Sequence, residues 1–252
     1  MQLIMARNKV ALAQVGDVHT PAPTESHSPI SHIGLIERLR HALTEAGATI
    51  EQEEHALARG GLRYFGGFSI LAAGMTDEAR RLVVGLRNAH DKSFAASACI
   101  GNLMMVCDNL CFSSDVKLAR KHTKNILADL PRVLAEVVGG LLPHWTAMED
   151  RIARYSEIEL SRDEAAGLTV ALADAKAIPA RIVYPINSEF ANPRHEEFKG
   201  GTLWTLYNAV TENLKGGDLS KLPRRTMVAQ SLFDKRASFA LTLDATTGEV
   251  VG

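Results

Sequence analysis

Apolar residues first recur at helical spacing at Leu35, Ile36, Leu39, Leu43 and Ala46, and Gly47 is placed to end the run in the left-handed conformation. One short amphipathic helix is predicted there. Beyond it the texture changes to short runs broken by glycine: ATIEQEEHALARGG, LRYFGGFSILAAG, RRLVVGLRNAH and SFAASACIGNLMMVCDNLCF. Within residues 80–88, Leu82, Val84 and Leu86 fall on one face and Arg81, Val83, Gly85 and Arg87 on the other, the period-2 pattern of a strand with a basic outer face. Gly60-Gly61 reads as a hairpin turn and Asn88 to Ser93 as a second reversal. The run Ala95 to Cys99 is rich in small residues and equally suits a helix, so the strand reading there rests on Ile100 to Val106.

From Ser114 the pattern turns helical, with Ser114 as N-cap and Asp115 in the first turn, where the macrodipole favours an anion. Ala119, Ile126, Leu127, Leu130, Leu134, Val137 and Leu141 form an apolar stripe, and Pro131 is expected to bend or divide the helix. Trp145, Met148, Ile152 and Tyr155 mark a further helix, and Ser161 with Glu164 makes a capping box that opens another, running to Ile178 before Pro179. Residues 181–201 read as a long loop or short strands. Leu203, Leu206, Tyr207, Val210 and Leu214 give one more helix, stopped by Gly216-Gly217. The predicted fold class is α+β, an antiparallel β-meander packed against a long basic helix, with additional C-terminal helices. Residues 1–33, where Pro21, Pro23 and Pro29 stand among Ser, Thr and His, are expected as a flexible leader or an arm that docks on another surface. A single α+β core domain is expected over 34–215, with a mixed, basic C-terminal tail over 216–252.

With 252 residues, 46% hydrophobic and 23% charged, the chain has the composition of a globular protein and none of the bias of collagen-like or disordered classes. No stretch approaches the roughly 18 uninterrupted apolar residues of a membrane span, so no membrane association is expected. Cys99, Cys107 and Cys111 include no CxxC pair, and the segment Met1 to Gln14 lacks the apolar block of a secretory signal. A reducing, cytoplasmic setting is the expectation.

A net charge of −1 conceals an uneven distribution. Between Arg80 and Lys124 eight Lys or Arg stand against three acids, whereas between Glu25 and Arg59 six acids stand against three Arg. On the predicted long helix, Lys117, Arg120, Lys121 and Lys124 fall at i, i+3, i+4 and i+7, one stripe away from the apolar one. The plainer reading of such a stripe is a solvated helix face. Acids at helix-pairing distance are scarce, however, and a row of unneutralised cations suits the phosphates of a nucleic-acid strand.

Catalytic constellations are weaker. His90-Asp91-Lys92-Ser93 holds residue types used in acid/base chemistry, but neighbours on a turn do not face one point, and a turn stabilised by Asn88 and Asp91 explains them better. Cys107-Asp108-Asn109 has composition as its only signal. Cys107 and Cys111 with His90 or His122 match no common zinc spacing, and Gly60-Gly61 and Gly66-Gly67 lack the context of a phosphate loop. Neither catalytic residues, a metal nor a cofactor is expected, and an ATP-driven recombinase or helicase is disfavoured.

The segments ISHIGLIERLRHALTEAG, EEHALARGGLRYFGGFSI, GLRNAHDKSFAASACIGNLMMVCDNLCFSSD, KLARKHTKNI and TLWTLYNAVTENL resemble, in that order, the phage- and plasmid-borne family of domain of unknown function 932. The resemblance runs from about Pro29 to Leu214, with GLRNAHDKS, VCDN and RKHT as its most specific elements. The family name confers no activity. The strand-rich meander followed by a basic helix is in turn similar to the β-β-β-α core of single-strand annealing proteins, the RecT/Redβ and Rad-fifty-two type. That similarity implies sequence-independent binding and annealing of single-stranded DNA in phage or plasmid homologous recombination, by a homo-oligomeric ring or filament without nucleotide hydrolysis. It implies that Arg81, Arg87, Lys92, Lys117, Arg120, Lys121 and Lys124 grip the DNA backbone, and that Tyr64, Phe65 and Phe68 either fill the core or stack on bases. The acids Glu51, Glu53 and Glu54 would then face away from the DNA, towards a neighbouring subunit. The alternatives are a metal-dependent, nuclease-like enzyme centred on His90, Asp91 and Asp108, or a phage or plasmid interaction module whose basic helix binds an acidic partner.

Overall fold

The computed structural model describes the backbone of residues 8–71, 75, 80–104, 109–215 and 221–247, and the side chains of these residues outside 103–120 and 239–247. The chain divides into two compact units, Met1–Trp145 and Thr146–Gly252, where the sequence predicts one core domain over 34–215.

The first unit holds β1 (Lys9–Val10), α1 (Leu12–Gly16), α2 (His32–Glu45), β2 (Thr49–Ala58), β3 (Arg63–Leu71), β4 (Arg80–Ala89), β5 (Ala96–Met104), β6 (Asn109–Arg120) and α3 (Ile126–Gly139). The strands lie in one antiparallel sheet in chain order, a two-residue strand followed by five long ones, so the predicted meander is present and larger than expected. Arg59, Gly60 and Gly61 turn the β2–β3 hairpin in the left-handed region, with φ of 56°, 64° and 90°. Period-2 alternation sends Tyr64, Phe68, Ile70, Leu82, Val84, Leu86, Ala98 and Ile100 into one core with Leu35, Ile36, Leu39 and Leu43 of α2 and Ile126, Leu130, Val133, Leu134 and Val137 of α3. Leu35, Ile36, Leu39 and Leu43 are each at most 1% exposed, and burying one contributes roughly 2 kcal/mol against the unfolded chain.

Three expectations are corrected in this unit. The helix predicted from Ser114 is instead strand β6, whose register sets Lys117 opposite Cys99 and Arg120 opposite Ala96, and the helix starts only at Ile126. Cross-strand pairing with β5 satisfies the backbone that helical propensity would have coiled. Of the apolar stripe, Leu127 is exposed whereas Ile126, Leu130, Leu134 and Val137 are buried. Pro131 lies inside α3 without dividing it, although it gives up one backbone bond there; the helix ends at its C-cap Gly140. The described part of the leader is docked, as the arm alternative allows. Lys9 and Val10 pair with Ala56 and His55, Ser28 N–H donates to the His122 carbonyl at 2.9 Å, and Val15 and Ile30 are buried.

Helix α4 (Leu141–Glu157) contains the division between the units. The second unit continues through α5 (Arg162–Asp174), α6 (Val183–Ala191), α7 (Leu203–Leu214) and α8 (Leu222–Thr247), with single turns at Ala180–Ile182 and Glu196–Phe198. The Ser161–Glu164 capping box forms as predicted, and α5 ends at Asp174, four residues short of Ile178. Residues 181–201, read as loop or strand, contain α6, and most of the expected tail is α8, which buries Ala229, Phe233 and Ala237. Phe233 meets Tyr155 and Tyr207 at ring distances of 5.8 and 5.1 Å, beside an Arg151–Asp234 ion pair. Among the described residues no helix is long and apolar enough to cross a membrane.

Candidate functional site

The face of the sheet opposite the core carries a cluster of arginines and aromatic rings. Register sets Phe65, Arg87 and Ser97 in one row across β3, β4 and β5. Phe94, from the β4–β5 turn, lies over this row with its ring 5.6 Å from Phe65. The Arg87 guanidinium sits 5.0 Å from the Phe94 ring centre and that of Arg63 5.9 Å from it, a cation–π pair of donors around one aromatic face. Arg87 Nε also donates to Ser97 Oγ at 2.6 Å, and among the described residues it has no carboxylate partner. Burial pulls its guanidinium below the ordinary value, the signature of a cation that would gain from an incoming anion. Arg63 is tied to Asp91 at 2.7 Å.

Around this cluster the predicted cations separate into two groups. Lys92 stands on the β4–β5 turn with φ of 62°, and Lys121 and Lys124 follow the end of β6, which pairs with the start of β5; all three are exposed and make no ion pair among the described residues. Lys117 and Arg120 belong to the same end of the sheet by backbone register. Arg81 lies towards the other end of β4, opposite Leu103, and its Nε donates to Glu51 Oε2 at 2.6 Å. The predicted helical stripe therefore does not exist, and its members are distributed over a strand and the connection that follows it.

The three aromatics also separate. Tyr64 and Phe68 are fully buried in the core, Tyr64 Oη meeting His55 Nδ1 at 3.0 Å, while half-buried Phe65 takes the outer face. Arg63 and Phe94 were not singled out by the sequence. Arg63 carried a usable signal, since it stands two positions from Phe65 on one strand and must share its face. Phe94 carried none, because only the closed turn brings it there. The acids Glu51, Glu53 and Glu54 are occupied within the unit by Arg81, Arg40 and Lys9 respectively.

The catalytic alternative finds its residues otherwise engaged. His90 is buried, its Nε2 is 2.9 Å from the Ile30 carbonyl, and its ring stacks on His32 at 3.9 Å with an interplanar angle of 4°. Asp91 Oδ1 accepts the Ser93 amide at 3.1 Å as in an Asx turn. Although burial works against it, the bonds from Ser93 and Arg63 hold the Asp91 carboxyl below the usual range. Asn88, expected to brace the same turn, donates instead to the Ile30 carbonyl at 2.7 Å. Asp108 and Cys107 lie outside the described residues, and among the described residues no three His, Cys, Asp or Glu are arranged to hold a metal ion.

No curated protein and no solved structure matches the chain. The motifs on which the family resemblance rests lie on the elements that build this cluster: GLRNAHDKS spans the end of β4 and its turn, and RKHT the exit from β6. The family described as Domain of unknown function (DUF932) matches residues 24–236, most of the chain, and the protein belongs to that family.

Proposed function

We propose that the protein binds single-stranded DNA without sequence preference and anneals complementary strands in phage- or plasmid-type homologous recombination, acting as a homo-oligomer without nucleotide hydrolysis. The observation that supports this reading is the outer-face cluster of Phe65, Phe94, Arg63 and Arg87 with Lys92, Lys121 and Lys124, unpaired among the described residues, at the same end of the sheet. Single strands are bound by rings on which any base can stack, set beside cations that follow the phosphates, and this combination is indifferent to sequence. Lys117, opposite Cys99, extends the row by register, whereas Arg120 is paired with core-side Ala96 and lies at the same end of the sheet but off that row. Arg81 contributes less, because Glu51 already neutralises it. Self-association has a backbone rationale: among the described residues β6 ends the sheet, and β1 with Asn8 covers only His55 to Leu57 of β2, so edge strand is open there to a second copy.

The test is the double reversal Lys121→Glu with Lys124→Glu. Both side chains are exposed, so the circular dichroism spectrum should stay that of the parent while binding to a labelled oligonucleotide is lost. Reversing one charge alone should flatten the slope of log affinity against log salt by roughly 0.7 per lost phosphate contact. Parental affinity and slope in these variants, or strand pairing no faster than without protein, would overturn the reading.

A further inference from the structure

The second unit contains a cavity of about 500 Å³, formed where Leu160 and Arg162 at the start of α5, the C-terminal end of α6 and the loop entering α7 converge. Its apolar floor is Leu160 and Phe190, both less than 10% exposed, and its rim carries Arg162, Lys199 and the pair Gly200-Gly201, with no acidic residue in the lining. Arg162 is exposed and has no acceptor among the described residues. Lys199 Nζ reaches Glu196 at 2.5 Å, an exposed i,i+3 pair of little worth that a better anion would displace. Gly200 and Gly201 adopt φ of 149° and 66°, a backbone path that glycine takes without strain. The Gly201 carbonyl is fixed by the Leu160 amide at 2.8 Å, while the amides of Gly200 and Gly201 donate to nothing among the described residues. The N-terminus of α5 is not what makes the site, since Ser161 and Glu164 already cap it.

We infer that this cavity binds a small phosphomonoester with an apolar, planar body. The Arg162 guanidinium, without an acceptor among the described residues, and the Lys199 ammonium supply the donors that a phosphate dianion takes up, with the Gly200 and Gly201 backbone in the same lining, and arginine can engage it through two parallel bonds. The volume lies within the range of small-ligand sites, and the Phe190–Leu160 floor gives the organic part a surface that inorganic phosphate cannot use. The site lies wholly in the second unit and stands independently of the DNA reading.

The test is calorimetric titration of the full chain with adenosine monophosphate, adenosine and inorganic phosphate. Saturable binding of the monophosphate is expected, with adenosine and inorganic phosphate each weaker by at least about tenfold. Arg162→Ala removes an exposed side chain that makes no hydrogen bond or ion pair among the described residues, so it should fold normally and lose about tenfold in affinity for the monophosphate. Gly201→Val, strained at its φ, is a second probe, read only if its thermal transition matches the parent. Absence of binding, inorganic phosphate equal to the monophosphate, or an Arg162→Ala protein that binds like the parent would overturn the assignment.

Discussion

Phe94 is the residue on which the outer-face cluster closes, because its ring meets Phe65, Arg63 and Arg87 together. Phe94→Ala should therefore weaken single-strand binding by about 1–3 kcal/mol, the worth of one stacked base, while leaving the salt slope unchanged because no phosphate contact is lost. Arg87→Ala should do the reverse and flatten the slope. Polarisation titrations of a labelled oligonucleotide at several salt concentrations separate the two, and identical salt slopes in both variants would refute this division of labour. The face of Arg87 was legible in the sequence because strand alternation fixes it, whereas Phe65 was grouped with Tyr64 and Phe68 although the same alternation separates it from them. Lys117 and Arg120 were not, because the intervals of three, four and seven residues that linked them to Lys121 and Lys124 arise as readily at a strand end followed by a loop.

At the scale of elements, what was legible is what local chemistry dictates. The α2 stripe, the Gly60-Gly61 turn and the Ser161–Glu164 capping box each depend on residues near in sequence, and each formed where predicted. Ser161→Ala should remove the cap that accepts the Glu164 amide and cost about 1 kcal/mol, measured as a shift in urea-induced unfolding with an unchanged m value. An unaltered midpoint would mean that α5 does not unfold with the measured transition. What was illegible depends on distant partners. β6 is a strand because β5 lies beside it, α6 holds despite Pro185 because that proline sits in its first turn, and α8 is recruited by the aromatic cluster at Phe233.

The whole topology of the first unit gathers four histidines far apart in sequence, and none of the local patterns foretold it. His27 and His32 arrive from the segment leading into α2, His90 from the end of β4 and His122 from the exit of β6. All four are buried; His27 and His122 approach to 5.0 Å, and His32 is held between the Gly61 carbonyl and Asn88 as it stacks on His90. Burial, reinforced by His90, lowers His32 to about 4, and burial with His27 beside it lowers His122 to about 4; His27 is lowered too, by burial and then by Lys92. The unfolded chain, with histidines near 6.5, therefore binds more protons than the native one between pH 6.5 and 4, so stability is intact above that window and falls as the pH drops through it. Each fully neutral histidine contributes a slope of up to about 1.4 kcal/mol per pH unit, on the order of a few kcal/mol across the window for His32 and His122 together. Urea titrations at successive pH values should show this decline, and His122→Phe, which keeps a buried ring and removes the proton site, should make it shallower by about one proton. A parent whose stability is level from pH 7 to about 4.5, or a variant with the parent's slope, would show that these imidazoles are not what the native packing holds neutral.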